Sequence, residues 1–258
     1  MNKIHSTAIV SPKAKLGDNI EIGPYTIIHD DVEIGNDCII GPHVVVYNGA
    51  RIGSRVKIFQ GASVSNLPQD LKYANEETYL YIGDDTVIRE FATLHKGTAA
   101  TGKTVIGNNC LLMAYVHVAH DCVIGNKVII SNATQIAGHV QIEDVVIIGG
   151  QGAVHQFCKI GQHAMVGGGG MVGTDIPPYS LVSGYPARFM GLNTVGLKRR
   201  NFSSEDINTL KEAYRIFYNS GLNHSAALQK LKEKYSEHPL VKNIIKFIES
   251  SERGVVRR

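Results

Sequence analysis

IGNNCLLMAYVHVAHDCVIGNKVIISNATQIAGHVQIEDVVIIGG, residues 106–150, carries an aliphatic residue at every sixth position. Ile106, Leu112, Val118, Ile124, Ile130, Ile136, Ile142 and Ile148 hold the beat, and Val154, Ile160, Val166 and Val172 continue it. Toward the N-terminus the same phase governs Ile82, Ile88 and Leu94, and before them an unbroken run from Ile4 to Val64. A helix needs an apolar stripe every 3.6 residues and a half-buried strand alternates, so a period of six is neither alone. It suits short strands joined by tight bends. Three hexads then make one triangular coil, and successive coils stack about 4.8 Å apart. Gly often follows the aliphatic mark, as in IGPYTI and IGNNCL, where it relieves backbone crowding at a bend. The prediction is a mainly β parallel β-helix prism filled by ladders of Ile and Val, residues that favour strands.

The fifth position of each hexad is small or β-branched, as at Ala8, Ala14, Thr26, Ala50 and Ala62. Cys38, Cys110, Cys122 and Cys158 all fall there, which predicts small buried hydrophobes rather than a thiol nucleophile or a metal cluster. Two segments lose the beat and gain polar, turn-forming residues: 66–80 (NLPQDLKYANEETYL) and 97–104 (GTAATGKT). Loops leaving a rigid scaffold are where function concentrates. After residue 193 the period becomes helical. Ser203 precedes Asp206, Ile207, Leu210, Tyr214 and Phe217 at helical spacing, Gly221 ends that helix, and 224–235 and 239–250 read as two more. The division predicted is a prism over 1–195 and a cap of about three helices over 196–258.

Charge follows that division. Residues 198–258 hold 13 Lys and Arg against 7 Asp and Glu, while residues 1–197 hold 13 against 16. A basic tail on a mildly acidic body predicts an acidic partner docking near one end. Nucleic acid is a poor candidate, because the basic residues lack interleaved aromatics. No stretch approaches the ~18 apolar residues of a membrane span, and the start lacks the apolar segment of a secretion signal. Integral membrane association is therefore not expected, and a cytoplasmic protein is.

The chemistry points to the strongest repeat stretch. His120, Gly138 and Gln156 are one coil apart and should form a column, with His139 and His155 beside it and His117 at a corner of the same coil as His120. A neutral imidazole can take a proton from a hydroxyl near neutral pH. Asp121 could fix its tautomer, and the backbone N–H of Gly138, free of any side chain, could stabilise an oxyanion. Two other readings use the same residues. His117, His120 and His139 could hold zinc across a subunit interface, as in the gamma-class carbonic anhydrases. The repeat could instead be purely structural.

Taken together, PQDLKYA (68–74), HVAHDC (117–122), AGHV (137–140), AVHQFC (153–158), DIPPY (175–179) and GLKRR (196–200) resemble the UDP-N-acetylglucosamine O-acyltransferases. The resemblance spans the whole chain, tail included. It implies a left-handed β-helix with a helical C-terminal domain, a homotrimer, and the first step of lipid A biosynthesis. That step moves an R-3-hydroxyacyl chain from acyl carrier protein to the glucosamine 3-position of a UDP-amino sugar. No metal or other cofactor is implied, since the donor carries its own phosphopantetheine arm. Residue by residue, it makes His120 the general base, Asp121 its partner and Gly138 the oxyanion donor. Gln69, Asp70 and Lys72 fall in the loop that holds substrate from the neighbouring subunit, and His117 lines the site. His139, His155 and Gln156 match sugar-nucleotide contacts, while Asn193 and Arg199 match residues near the uridine and phosphates. Gly168 matches the position whose bulk limits acyl length, and Val195 stands where some members carry an acidic residue. Lys198, Arg199, Arg200, Arg253, Arg257 and Arg258 are then candidates for steering the acidic carrier.

Overall fold

In the computed structural model, which describes all 258 residues, the strands pair in parallel with the same face of the next coil. Leu112 pairs with Ile130, Ile130 with Ile148, and Ile148 with Val166. The strands assemble into sheets of 11, 9 and 8 strands, the three walls of a left-handed prism. One interior column runs Ile88, Leu112, Ile130, Ile148, Val166 and Val182, all fully buried. Each contributes roughly 1.5–3 kcal/mol by leaving water. A two-residue strand is too short to persist alone, so coil stacking sustains the walls.

The bends divide two tasks between different residues. The glycine after each aliphatic mark has an ordinary φ, but a side chain there would strike the next coil. An added Cβ at Gly107 would lie 2.5 Å from the Gly125 carbonyl oxygen. The left-handed backbone is supplied three residues after the mark by non-glycines such as Asn109, Asp121 and His139, with φ of 56°, 61° and 61°. Asn, Asp and His tolerate that region better than most residues. The cysteines sit inside the corners, fully or nearly fully buried, with each sulfur against a backbone carbonyl. Burial pushes the Cys122 thiol up to about 12.

Both polar interruptions leave the prism as loops, each shorter than the sequence suggested. Strands Ser63–Asn66 and Tyr79–Ile82 bound the first, and strands Thr93–His95 and Lys103–Ile106 bound the second. Leu80 and Thr104 explain the difference: both are wholly buried, and Leu80 pairs with Ala50 on one side and Thr104 on the other, so the wall resumes before the hexad mark.

The tail holds four helices rather than three: α1 (Thr194–Arg199), α2 (Ser204–Asn219), α3 (His224–Tyr235) and α4 (Pro239–Glu249). Helix α1 escaped the sequence reading because TVGLKR has too few apolar positions to show a period. It straddles the division expected at 195/196. An antiparallel pair, Ser180–Ser183 with Arg188–Leu192, precedes it. Ser203 caps α2 by accepting the Asp206 N–H at 2.9 Å. The helices share their own apolar core with Tyr179 and Leu197, and the chain end returns to the prism. There the Val256 N–H donates to the Asp175 carbonyl at 2.8 Å, and its side chain is buried in the prism core. That contact covers one end of the stack, as a repeat protein requires.

Candidate active site

A cavity of about 640 Å³ lies along one prism wall and the adjoining corner. His117, Gln135, Ala153 and Met171 line it from successive strands, and His120, Gly138 and Gln156 from successive bends. The expected column therefore exists, with one correction. His117 stands on the wall, in strand His117–Val118, and His120 occupies the corner.

His120 and Asp121 are sequence neighbours whose side chains would usually diverge. The φ of 61° at Asp121 folds the corner back and brings His120 Nδ1 to 2.7 Å from Asp121 Oδ2. An ionised carboxylate only accepts, so Nδ1 carries the proton and Nε2 presents a lone pair. Asp121 is fixed in turn by the second loop. Its Oδ1 accepts the Thr98 N–H at 3.0 Å, its Oδ2 accepts the Thr98 hydroxyl at 2.7 Å, and the Thr101 hydroxyl donates to Oδ1. Burial raises the Asp121 pKa, but the hydrogen bonds from Thr101, His120 and Thr98 outweigh it and hold the carboxyl below the usual range. The group stays ionised although its side chain is wholly inaccessible.

Gly138 is required sterically as well as for its N–H. A Cβ there would lie 2.8 Å from His120 Cε1 and 2.9 Å from Nε2, displacing the ring. Its carbonyl accepts the Phe157 N–H at 3.1 Å, while its own N–H donates to no backbone carbonyl. At another corner the corresponding amides of four successive coils are capped. There Ser54, Asp84, Asn108 and Asn126 each donate to the Asp or Asn one coil on, at 2.7–2.9 Å. At the histidine corner nothing comparable intervenes.

Around the pair, His139 Nε2 lies 3.7 Å from Asp121 Oδ2, and its ring stacks on Phe157. His117 Nδ1 meets the Thr93 hydroxyl at 2.8 Å, and burial followed by the neighbouring His120 lowers its pKa. Beneath it His95 is almost fully buried, edge-on to His117, with its Nδ1 unpartnered. Burial, then His117 and His120, lower the His95 pKa to about 4. The donors within 4.8 Å of one another are His120, Asp121 and His139, Asp121 is already saturated with hydrogen bonds, and His117 stands outside the group.

The remaining candidates divide. Gln69, His155 and Gln156 line the cavity, whereas Asp70 and Lys72 do not line it in their own chain. Those two form a turn in which the Lys72 N–H donates to Asp70 Oδ1 at 2.9 Å. Asn193 is buried and serves as the N-cap of α1, accepting the Gly196 N–H and donating to the His163 carbonyl. Arg199 is exposed, and so is Val195. Gly168 sits at the opposite edge of the same wall, where an added Cβ meets nothing nearer than the Gly150 carbonyl oxygen at 3.5 Å. Thr98, Thr101 and His95 were not singled out from the sequence. The polar interruption pointed to the threonines' loop, but no pattern says which hydroxyl meets a carboxylate some twenty residues on.

This wall, with its held imidazole and bare amide, defines a hexapeptide-repeat acyltransferase. The bacterial transferase hexapeptide model matches residues 13–48 and 103–138, and that of UDP N-acetylglucosamine O-acyltransferase domain 2 matches 175–256. The acyl-[acyl-carrier-protein]–UDP-N-acetylglucosamine O-acyltransferase of Myxococcus xanthus is 50% identical over 258 residues, covering 100% of both chains. That of Paracidovorax citrulli is 53% identical over 262 residues, again covering 100% of both. Among solved structures, the UDP-N-acetylglucosamine acyltransferase of Bacteroides fragilis superposes with a TM-score of 0.97 at 44% identity, covering 98% of this chain and 100% of that one. The chain belongs to the UDP-N-acetylglucosamine O-acyltransferase family.

Proposed function

We propose that this protein transfers an R-3-hydroxyacyl chain from acyl carrier protein to the 3-hydroxyl of the glucosamine in UDP-N-acetylglucosamine. The observation that carries the reading is the pairing of a tautomer-fixed His120 with the uncapped Gly138 N–H one coil away. His120 Nε2 takes the proton of the sugar hydroxyl as its oxygen attacks the thioester carbonyl carbon. The tetrahedral oxyanion accepts the Gly138 N–H. Collapse breaks the carbon–sulfur bond, and the departing thiolate takes the proton back from the imidazolium. An O-acylated sugar nucleotide and the free thiol of the phosphopantetheine arm result.

In this reading the active assembly is a homotrimer, and the cavity wall faces a neighbouring subunit. Half-buried Asp70 and exposed Lys72 then serve the adjacent site, which is consistent with their position outside the cavity of their own chain. Gln69, His117, His139, His155 and Gln156 hold the sugar nucleotide, and Asn193 and Arg199 take its uridine and phosphate end. No helix is long and apolar enough to cross a membrane. The test is transfer from purified acyl carrier protein charged with several chain lengths, offered both UDP-N-acetylglucosamine and its 3-amino analogue. His120→Ala should abolish product while leaving the oligomer intact. Undiminished transfer by that variant refutes the base assignment.

A further inference from the structure

The two loops that leave the prism are separated in sequence and rooted in different coils, yet one carboxylate touches both. Glu76 Oε2 accepts the Ala74 N–H of its own loop at 2.8 Å, and Oε1 accepts the Ala99 N–H of the second loop at 2.9 Å. The Tyr73 hydroxyl donates to the Glu76 carbonyl at 3.2 Å, closing the turn around it. The backbone N–H groups of Glu76 and Ala99 hold its pKa below the usual carboxylate value, against burial and the like charge of Asp121. Ala99 directly follows Thr98, the residue that donates to Asp121 through both its N–H and its hydroxyl. A path of hydrogen bonds and intervening backbone therefore runs from the Asp70–Lys72 turn through Glu76, the 98–101 bend and Asp121 to the His120 imidazole.

We propose that Glu76 is a positioning residue that clips the substrate loop to the loop holding the catalytic pair, so that the two halves of the site are set together. Glu76 touches neither His120 nor the cavity; it acts through Thr98 and Asp121. The clip lies outside the prism core, so its removal leaves the stacked coils in place. The inference rests on the acyl-transfer reading for its kinetic consequence but not for its structural one.

Two measurements on Glu76→Ala, Glu76→Gln and Lys72→Ala test it. In steady-state kinetics Glu76→Ala should lower kcat by about 10- to 100-fold, the range expected when a reacting group is misplaced by about an ångström. It should also raise the sugar-nucleotide KM, whereas Lys72→Ala raises KM alone. Glu76→Gln keeps one acceptor oxygen, can hold one loop, and should recover part of kcat. By hydrogen exchange, the amides of Ala74 and Ala99 should both exchange faster in Glu76→Ala, with the prism amides unchanged. A kcat within threefold of the native protein, or a change in KM alone, overturns the clip. Protection lost at Ala74 but kept at Ala99 overturns it as well. If the native protein transfers no acyl group, the functional reading fails, and the exchange result still decides whether the clip exists.

Discussion

Replacing Asp121 with asparagine tests the chemistry with almost no change in shape. The carboxylate receives donors on both oxygens: the Thr98 N–H and the Thr101 hydroxyl on Oδ1, the Thr98 hydroxyl and His120 Nδ1 on Oδ2. An asparagine must put its NH2 on one side. The Thr98 backbone N–H cannot rotate away, so the amide oxygen is forced to the Oδ1 side and the NH2 faces His120. The Thr98 hydroxyl can turn to accept, but Nδ1 must then become an acceptor, which moves the ring proton to Nε2. The base is lost through its tautomer while the fold survives. General-base catalysis contributes about 10²- to 10⁴-fold, so kcat should fall by that factor, roughly 3–5 kcal/mol of barrier. Steady-state transfer assays read the loss, and nitrogen NMR of the labelled imidazole reads the tautomer. A kcat within threefold of the native value, or a proton still on Nδ1 in the variant, refutes the reasoning.

Other outcomes follow from the same contacts. His95 has a folded pKa of about 4 against an ordinary 6.5, so the unfolded chain binds the extra proton and stability falls as pH drops from 6.5 toward 4. At ~1.4 kcal/mol per tenfold in proton affinity the loss approaches roughly 3 kcal/mol; His95→Gln should flatten that slope in melts across pH, and an unchanged slope removes the assignment. Leu112→Ala opens a cavity in a fully buried column and should cost about 2–5 kcal/mol in urea unfolding, with a smaller loss showing that the coils collapse around it. Gly168→Met, filling open space at the wall edge, should shift preference toward shorter acyl donors, and unaltered selectivity excludes a length-limiting role there. Raising salt should weaken the acyl-carrier KM far more than the sugar-nucleotide KM, and equal effects count against steering by the basic tail.

The prism was legible because its cause is periodic. An aliphatic side chain every six residues has one interior to fill, so Ile88, Leu112 and Ile130 declare their column before any coordinates exist. The same arithmetic placed His120, Gly138 and Gln156 together. It failed where structure is set by a single torsion or an aperiodic contact. His120 and Asp121 looked unsuited to pair until the positive φ at Asp121 is known. The loop ends shifted because Leu80 and Thr104 enter the wall off the beat. Helix α1 is too short for a period, and its capping residue Asn193 reads from sequence only as a polar residue. The threonines around Asp121 lie in a loop whose path the repeat does not govern.

The histidine corner differs from the Asp and Asn corner in what it does with its spare amides. Every coil turns three times, and each turn exposes N–H groups that the parallel ladder does not use. Along one edge a file of short polar side chains, Asp84, Asn108, Asn126 and Asp144, takes those amides up, one coil serving the next. That edge is chemically closed. At the histidine edge the equivalent positions are His120, Gly138 and Gln156, and the Gln156 side chain, which lines the cavity one coil on, makes no hydrogen bond to the Gly138 N–H. The amide stays available, the glycine leaves room for the ring beside it, and the adjacent left-handed residue is the carboxylate that orients that ring. The base, its partner and the oxyanion donor thus come together at an edge where the amide is left uncapped, with the second loop added to hold the carboxylate still.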